Sequence, residues 1–241
     1  MFKETITNRI EKGRSSYDRT GSLLEFEMLG SVNTNKYREE AYKILHRDEL
    51  PKKDDTPDQK FEKILHIREM ARQELETAEQ LAKRGNFIDY PHSMKLIEEC
   101  QVGRPEKPGR LFANMLYRYI SKHFGDNHIL RYFTASGGTH LDVLHGIDCF
   151  FKLYDQETGQ ELSLATLDLT MNRRKDTANK AQILMPLTEE EINQMDASQG
   201  NEEYNAVFFS RKVAQIGEGV VRVLKDNYHQ AIKTINHNII Q

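Results

Sequence analysis

The stretch that decides the fold runs Ile147–Asp155 (IDCFFKLYD), Gln156–Gln160 (QETGQ), Glu161–Thr170 (ELSLATLDLT). Both flanks have strand composition, and the polar joint containing Gly159 reads as a hairpin connection. Folding the two strands symmetrically about Thr158 pairs Asp148 with Asp168, Phe150 with Thr166 and Lys152 with Leu164. Cross-strand neighbours have β-carbons about 5 Å apart. A one-residue slip would turn the whole set to the opposite face, so the turn carries the inference.

Two carboxylates at that separation repel each other, and the apolar residues around them (Ile147, Phe150, Phe151, Leu167, Leu169) raise the cost. A divalent cation, a shared proton or a basic partner has to compensate. Mg²⁺ or Mn²⁺ suits such a pair, because hard cations take carboxylate oxygens together with water and substrate phosphate. The competing reading is structural: both acids satisfied by backbone N–H groups or by Arg/Lys near a sheet end.

Outward from the hairpin, Ile129–Ala135 reads as a preceding strand ending at the turn Ser136-Gly137-Gly138, and Gln182–Met185 as a following one. Leu111–Phe124 reads as a helix with Leu111, Met115, Leu116, Tyr119 and Ile120 inward. Thr188-Glu189-Glu190-Glu191 forms a capping box, and Val207 to Ile235 outlines a long C-terminal helix whose Gly217 and Gly219 permit a kink or a close approach. The first hundred residues read as charged helices. Thr56-Pro57-Asp58-Gln59 opens a long one that runs to Gly85, with Phe61, Ile64, Leu65, Ala71, Leu75, Ala78 and Leu81 as its apolar stripe. A smaller helix near Lys36–Leu45 packs against it. The Pro/Gly-rich run Val102–Arg110 is the best linker, giving a helical region 1–105 and an α/β (α+β) core 106–241.

The segments Gly138–Asp148 (GTHLDVLHGID) and Thr166–Thr170 (TLDLT) resemble the PD-(D/E)XK, or restriction-endonuclease-like, nuclease superfamily. Its members often carry Gly-Ile-Asp at the start of one strand, and an acid, one residue and a lysine on the partner strand. The family's order of helix, three strands, helix, strand also resembles Leu111–Met185, although no helix is evident between Thr170 and Gln182. The resemblance implies a mixed central sheet flanked by helices and Mg²⁺- or Mn²⁺-dependent hydrolysis of phosphodiester bonds in DNA or RNA. It implies Asp148 and Asp168 as metal ligands and catalytic acids. Thr170 stands where the family has its lysine, so Lys180 or Lys175 is the candidate substitute, with Lys180 preferred because it directly precedes a strand. The family's frequent helix glutamate has no counterpart in Leu111–Phe124, which leaves Glu98 or Glu99.

Other residues crowd the same region. Asp142 is a candidate additional metal ligand, while Thr139, His145 and Thr170 are candidate substrate contacts. His140, Asp142 and His145 do not have the spacing of a transition-metal site. Arg173 and Arg174, following the second acidic strand, are candidate phosphate contacts, as are Arg131, Arg104, Lys107 and Arg110, against the ordinary reading of solvated basic loops. An alternative function is a catalytically inactive protein of the same fold, using its sheet as a scaffold and its N-terminal helices to bind a protein or nucleic acid.

Composition bounds these readings. With 38% hydrophobic and 29% charged residues, the 241-residue chain can build a core. A net charge of −3 leaves any nucleic-acid contact to a local basic patch. Cys100 and Cys149 have no ligand spacing and read as buried thiols of a reducing compartment. With no apolar signal core and no membrane-length stretch, the expectation is a soluble, cytoplasmic protein.

Overall fold

The computed structural model describes residues 25–73, 83, 85, 87–170, 181–188, 190–191 and 202–240, with side chains for 206–230 of the last segment. After the helical residues 25–29, the elements are α1 (Thr34–Leu45), a 3₁₀ turn (Arg47–Glu49), α2 (Pro57–Gln73), α3 (Tyr90–Cys100), α4 (Leu111–Ser121), β1 (His128–Thr134), α5 (His140–His145), β2 (Cys149–Asp155), β3 (Glu161–Thr170), β4 (Ile183–Pro186) and α6 (Glu202–Ile240). The architecture is mixed α/β.

The sheet order is β1-β2-β3-β4, antiparallel except for the parallel β3–β4 pair. Beyond a bulge between Leu153 and Tyr154 the register is the expected one, with Cys149 facing Leu167, Phe150 facing Thr166 and Lys152 facing Leu164, while next to the turn it is offset by one residue and Tyr154 faces Glu161. The joint is tied by Asp155, whose Oδ1 accepts from Thr158 N at 2.8 Å and Thr158 Oγ1 at 2.7 Å, and Gly159 adopts φ +67°.

Alternation along the strands loads both faces with apolar side chains, so each must be covered. Cys149, Phe151, Leu153, Ala165, Leu167 and Leu169 pack against α4 and α6. On the other face Phe133, Phe150 and Ile147 pack with Tyr37 and Ala41 of α1, Ile97 of α3 and Leu141 of α5. Helices therefore sandwich the sheet. The free edge of β1 is covered by the Gln101–Pro105 stretch: Tyr132 N donates to Pro105 O at 3.0 Å and Thr134 N to Gln101 Oε1 at 3.0 Å.

Helix caps follow the sequence closely. Thr56 and Gln59 form the reciprocal box at the start of α2 (2.8 and 3.3 Å), and Thr188 and Glu191 form the second (2.9 and 3.2 Å). Lys212 of α6, 4% exposed, donates to Glu191 Oε1 at 2.8 Å and Pro186 O at 2.9 Å, which ties that box and the end of β4 to the long helix.

One helical reading needs correction. In α2 the residues turned inward are Ala71, as expected, and Ile67, while Phe61, Ile64 and Leu65 of the expected stripe are exposed. The expected continuation past Gln73 lies largely outside the described residues. The helix α3 starts at Tyr90-Pro91, where Asp89 caps His92 N at 2.9 Å and proline suits the first turn. The Gly138–Asp148 stretch contains the short helix α5, whose six residues give no readable period. Both cysteines are buried free thiols. Among the described residues, no helix is long and apolar enough to cross a membrane.

Candidate functional site

The turn from β1 into β2 builds the site. Thr139 caps α5, its Oγ1 accepting from Asp142 N at 3.2 Å and donating to Ala135 O at 2.6 Å. Asp142 reaches back so that Oδ2 accepts from Gly138 N at 2.9 Å. Gly146 closes α5 in the left-handed conformation (φ +60°), its N–H on Asp142 O, and turns the chain toward Asp148.

Asp148 sits where the chain enters β2, 2% exposed. Its N–H donates to Leu167 O at 3.0 Å, and its carbonyl accepts from Ala135 N at 2.7 Å and Ser136 N at 3.1 Å. The carboxylate takes the next rung of the ladder, Oδ2 accepting from Leu169 N at 2.6 Å. Carboxylate oxygens of Glu25, Asp142 and Asp148 all lie within 4.8 Å of one another. Asp168, 1% exposed, lies on β3 one residue past the last β2 pair, Cys149 with Leu167, and its charge also bears on Asp148. Burial, then the charges of Glu25, Asp142 and Asp168, push the Asp148 carboxyl well above the usual carboxylate range, against the pull of Leu169 N–H.

Of the expected site residues, Asp142 and Asp148 come together, with Asp168 near enough for its charge to act on Asp148. Thr139 is buried in its capping role. His145, at 9% exposure, stands edge-on to Tyr90 with ring centroids 5.5 Å apart. Thr170 is buried at the end of β3, its carbonyl accepting from Leu187 N at 2.9 Å. Lys175, Lys180, Arg173 and Arg174 lie outside the described residues. Glu98 pairs with Lys152 at 2.7 Å, and Glu99 lies 3.9 Å from Lys95. Arg131 pairs with Glu106 at 2.9 Å and covers the Tyr154 ring at 4.8 Å.

Glu25 is the addition that the sequence expectation lacks. It opens the short run Glu25–Leu29 (EFEML), whose Met28 and Leu29 are fully buried against the sheet. An acid three and four residues before two apolar ones shows which way such a turn docks, but nothing in one turn's sequence says what it docks on.

His140, 3% exposed, accepts or donates through Nδ1 to Tyr37 OH at 2.9 Å, while its own N–H donates to the same oxygen at 2.8 Å. Burial, aided by His145, pulls its pKa from an ordinary 6.5 to about 4, so the ring is neutral at pH 7. A neutral ring receiving the Tyr37 proton at Nδ1 makes both groups structural partners that lock α1 to α5.

Comparison with protein-family models, curated proteins and solved structures finds no match to this chain.

Proposed function

We propose that this protein is a divalent-cation-dependent nuclease on a restriction-endonuclease-like sheet, cutting phosphodiester bonds of DNA or RNA. The observation that carries the reading is the Glu25, Asp142 and Asp148 trio at mutual distances within 4.8 Å, backed by buried Asp168. Acids gathered this closely repel one another, and a cation joining them would relieve that repulsion. The donor set is carboxylate oxygen throughout, which fits Mg²⁺ or Mn²⁺ rather than a softer metal. When bound there, such an ion would hold the scissile phosphate and lower the pKa of the attacking water.

The chain's own part is to position the donors. Leu169 N–H and the Ala135/Ser136 N–H pair hold Asp148, and Gly138 N–H holds Asp142. A helix (α4) ahead of three antiparallel strands, with α5 between the first two, and β4 parallel to β3 supports the superfamily reading, whose further helix would fall between Thr170 and Ala181, outside the described residues. In this reading Lys180 or Lys175 polarises water or phosphate, and Arg173 and Arg174 contact the strand. Buried Thr170 at the lysine position favours a second reading, an inactive relative that binds a protein or nucleic acid.

Calorimetric titration with Mg²⁺ and Mn²⁺, followed by cleavage assays on DNA and RNA, separates the two. Saturable binding weakened at least about tenfold by Asp148→Asn and by Glu25→Gln, with cleavage lost in Asp148→Asn, is the expected result. Absence of cation binding would sink the nuclease, and binding without cleavage supports the inactive relative.

A further inference from the structure

A cavity of about 310 Å³ has a lining that includes Phe26, Gly30, Gln101, Arg104, Arg110 and Thr134. Two of its lining residues are chain neighbours of residues at the acidic site. Phe26 follows Glu25 directly, and Thr134 precedes Ala135, whose N–H holds Asp148 O. The chain therefore ties the cavity to the segments that carry the carboxylates.

Its chemistry is opposite in sign to theirs. No acidic side chain of the described residues lines it, and two guanidinium groups do. Glu106, the acid between those arginines in sequence, is taken by Arg131 at 2.9 Å, and among the described residues neither Arg104 nor Arg110 has a carboxylate partner. Arg110 lies 4.3 Å over the Phe26 ring, and that ring is still 45% exposed. The stem of Arg110 is seated on Gly30, where an added β-carbon would meet its Cγ at 3.5 Å and a φ of +95° favours glycine.

An exposed aromatic ring joined to unpaired guanidinium groups is how proteins grip unstacked bases and their phosphates. A duplex hides its base faces and cannot use the ring. We infer that this cavity binds one nucleotide of a single-stranded nucleic acid, with phosphate on Arg104 and Arg110 and base against Phe26. As the subsite that feeds the acidic cluster, this assignment rests on the nuclease reading.

The test is fluorescence anisotropy in EDTA with fluorescein-labelled dT12, a matching 12-base-pair duplex, and inorganic phosphate as competitor, so that neither cation nor cleavage is needed. The single strand should bind more tightly than the duplex, and phosphate should compete only weakly. Phe26→Ala and Arg110→Gln should each weaken dT12 binding about tenfold, within the range of one stacked base. Equal affinity for strand and duplex, or wild-type affinity in both variants, overturns the subsite. The two readings fail separately: dT12 binding that depends on Phe26 without cation binding leaves the subsite standing and removes the nuclease, whereas cleavage untouched by Phe26→Ala does the reverse.

Discussion

At the scale of single residues, Asp148 illustrates how a side chain can be held firmly and still be electrostatically dissatisfied. One backbone N–H at 2.6 Å fixes its carboxylate, while burial and three neighbouring acids oppose its charge. Its pKa is raised in the folded state, so the folded protein keeps a proton that the unfolded chain gives up as pH climbs past the usual carboxylate range. Stability from this group is therefore greatest in acid and falls as pH rises toward the elevated folded value. His140 acts oppositely: with a folded pKa of about 4 against an ordinary 6.5, it costs stability as pH falls between those values. Comparing Asp148→Asn with wild type cancels the histidine. In EDTA the melting temperature of Asp148→Asn should exceed that of wild type by more at pH 7.5 than at pH 4.5, and Mg²⁺ should close the gap for wild type alone. A gap independent of pH would contradict the raised pKa.

At the scale of elements, the two glycines of α6 separate helix propensity from packing. A β-carbon on Gly217 would fall within 2.6 Å of Tyr119 Cε1 on α4, whereas one on Gly219 meets nothing within 4 Å. Gly217→Ala should destabilise the protein by about 1–3 kcal/mol through overpacking. Gly219→Ala should stabilise by about 0.5–1 kcal/mol through propensity alone. Urea denaturation of both variants checks this, and stabilisation by Gly217→Ala would mean that the α4–α6 approach is looser than described. The sequence offered a kink or a close approach for this pair, and only the position of Tyr119 decides for one of the two.

At the scale of the molecule, α1 couples the helical N-terminal residues to the sheet. Tyr37 and Ala41 pack on the sheet side, while Tyr42 packs against Ile67 and Ala71 of α2. Phe61→Ser, on the exposed stripe of α2, should change stability by no more than about 0.5 kcal/mol. Ile67→Ala should cost about 2–5 kcal/mol because it empties a buried contact. Chemical denaturation of the two variants measures both, and a larger loss for Phe61→Ser would restore the stripe read from periodicity.

What the sequence determined by itself is local or set by a short connection. The β2–β3 hairpin was legible from its strand composition and polar joint, as were the caps at Thr56 and Thr188, whose partners lie three residues away, but the bulge beyond Leu153 that sets the final register was not. The inward face of α2 was legible only in part, because periodicity finds an apolar stripe without saying which neighbour arrives to cover it. Tertiary structure alone brought Glu25 to Asp142 and Asp148 across more than a hundred residues of chain, and set Phe26 and Arg110 together. The reason is physical: a turn restricts the few residues it joins, whereas contacts distant in sequence form only when separate apolar faces find a shared core.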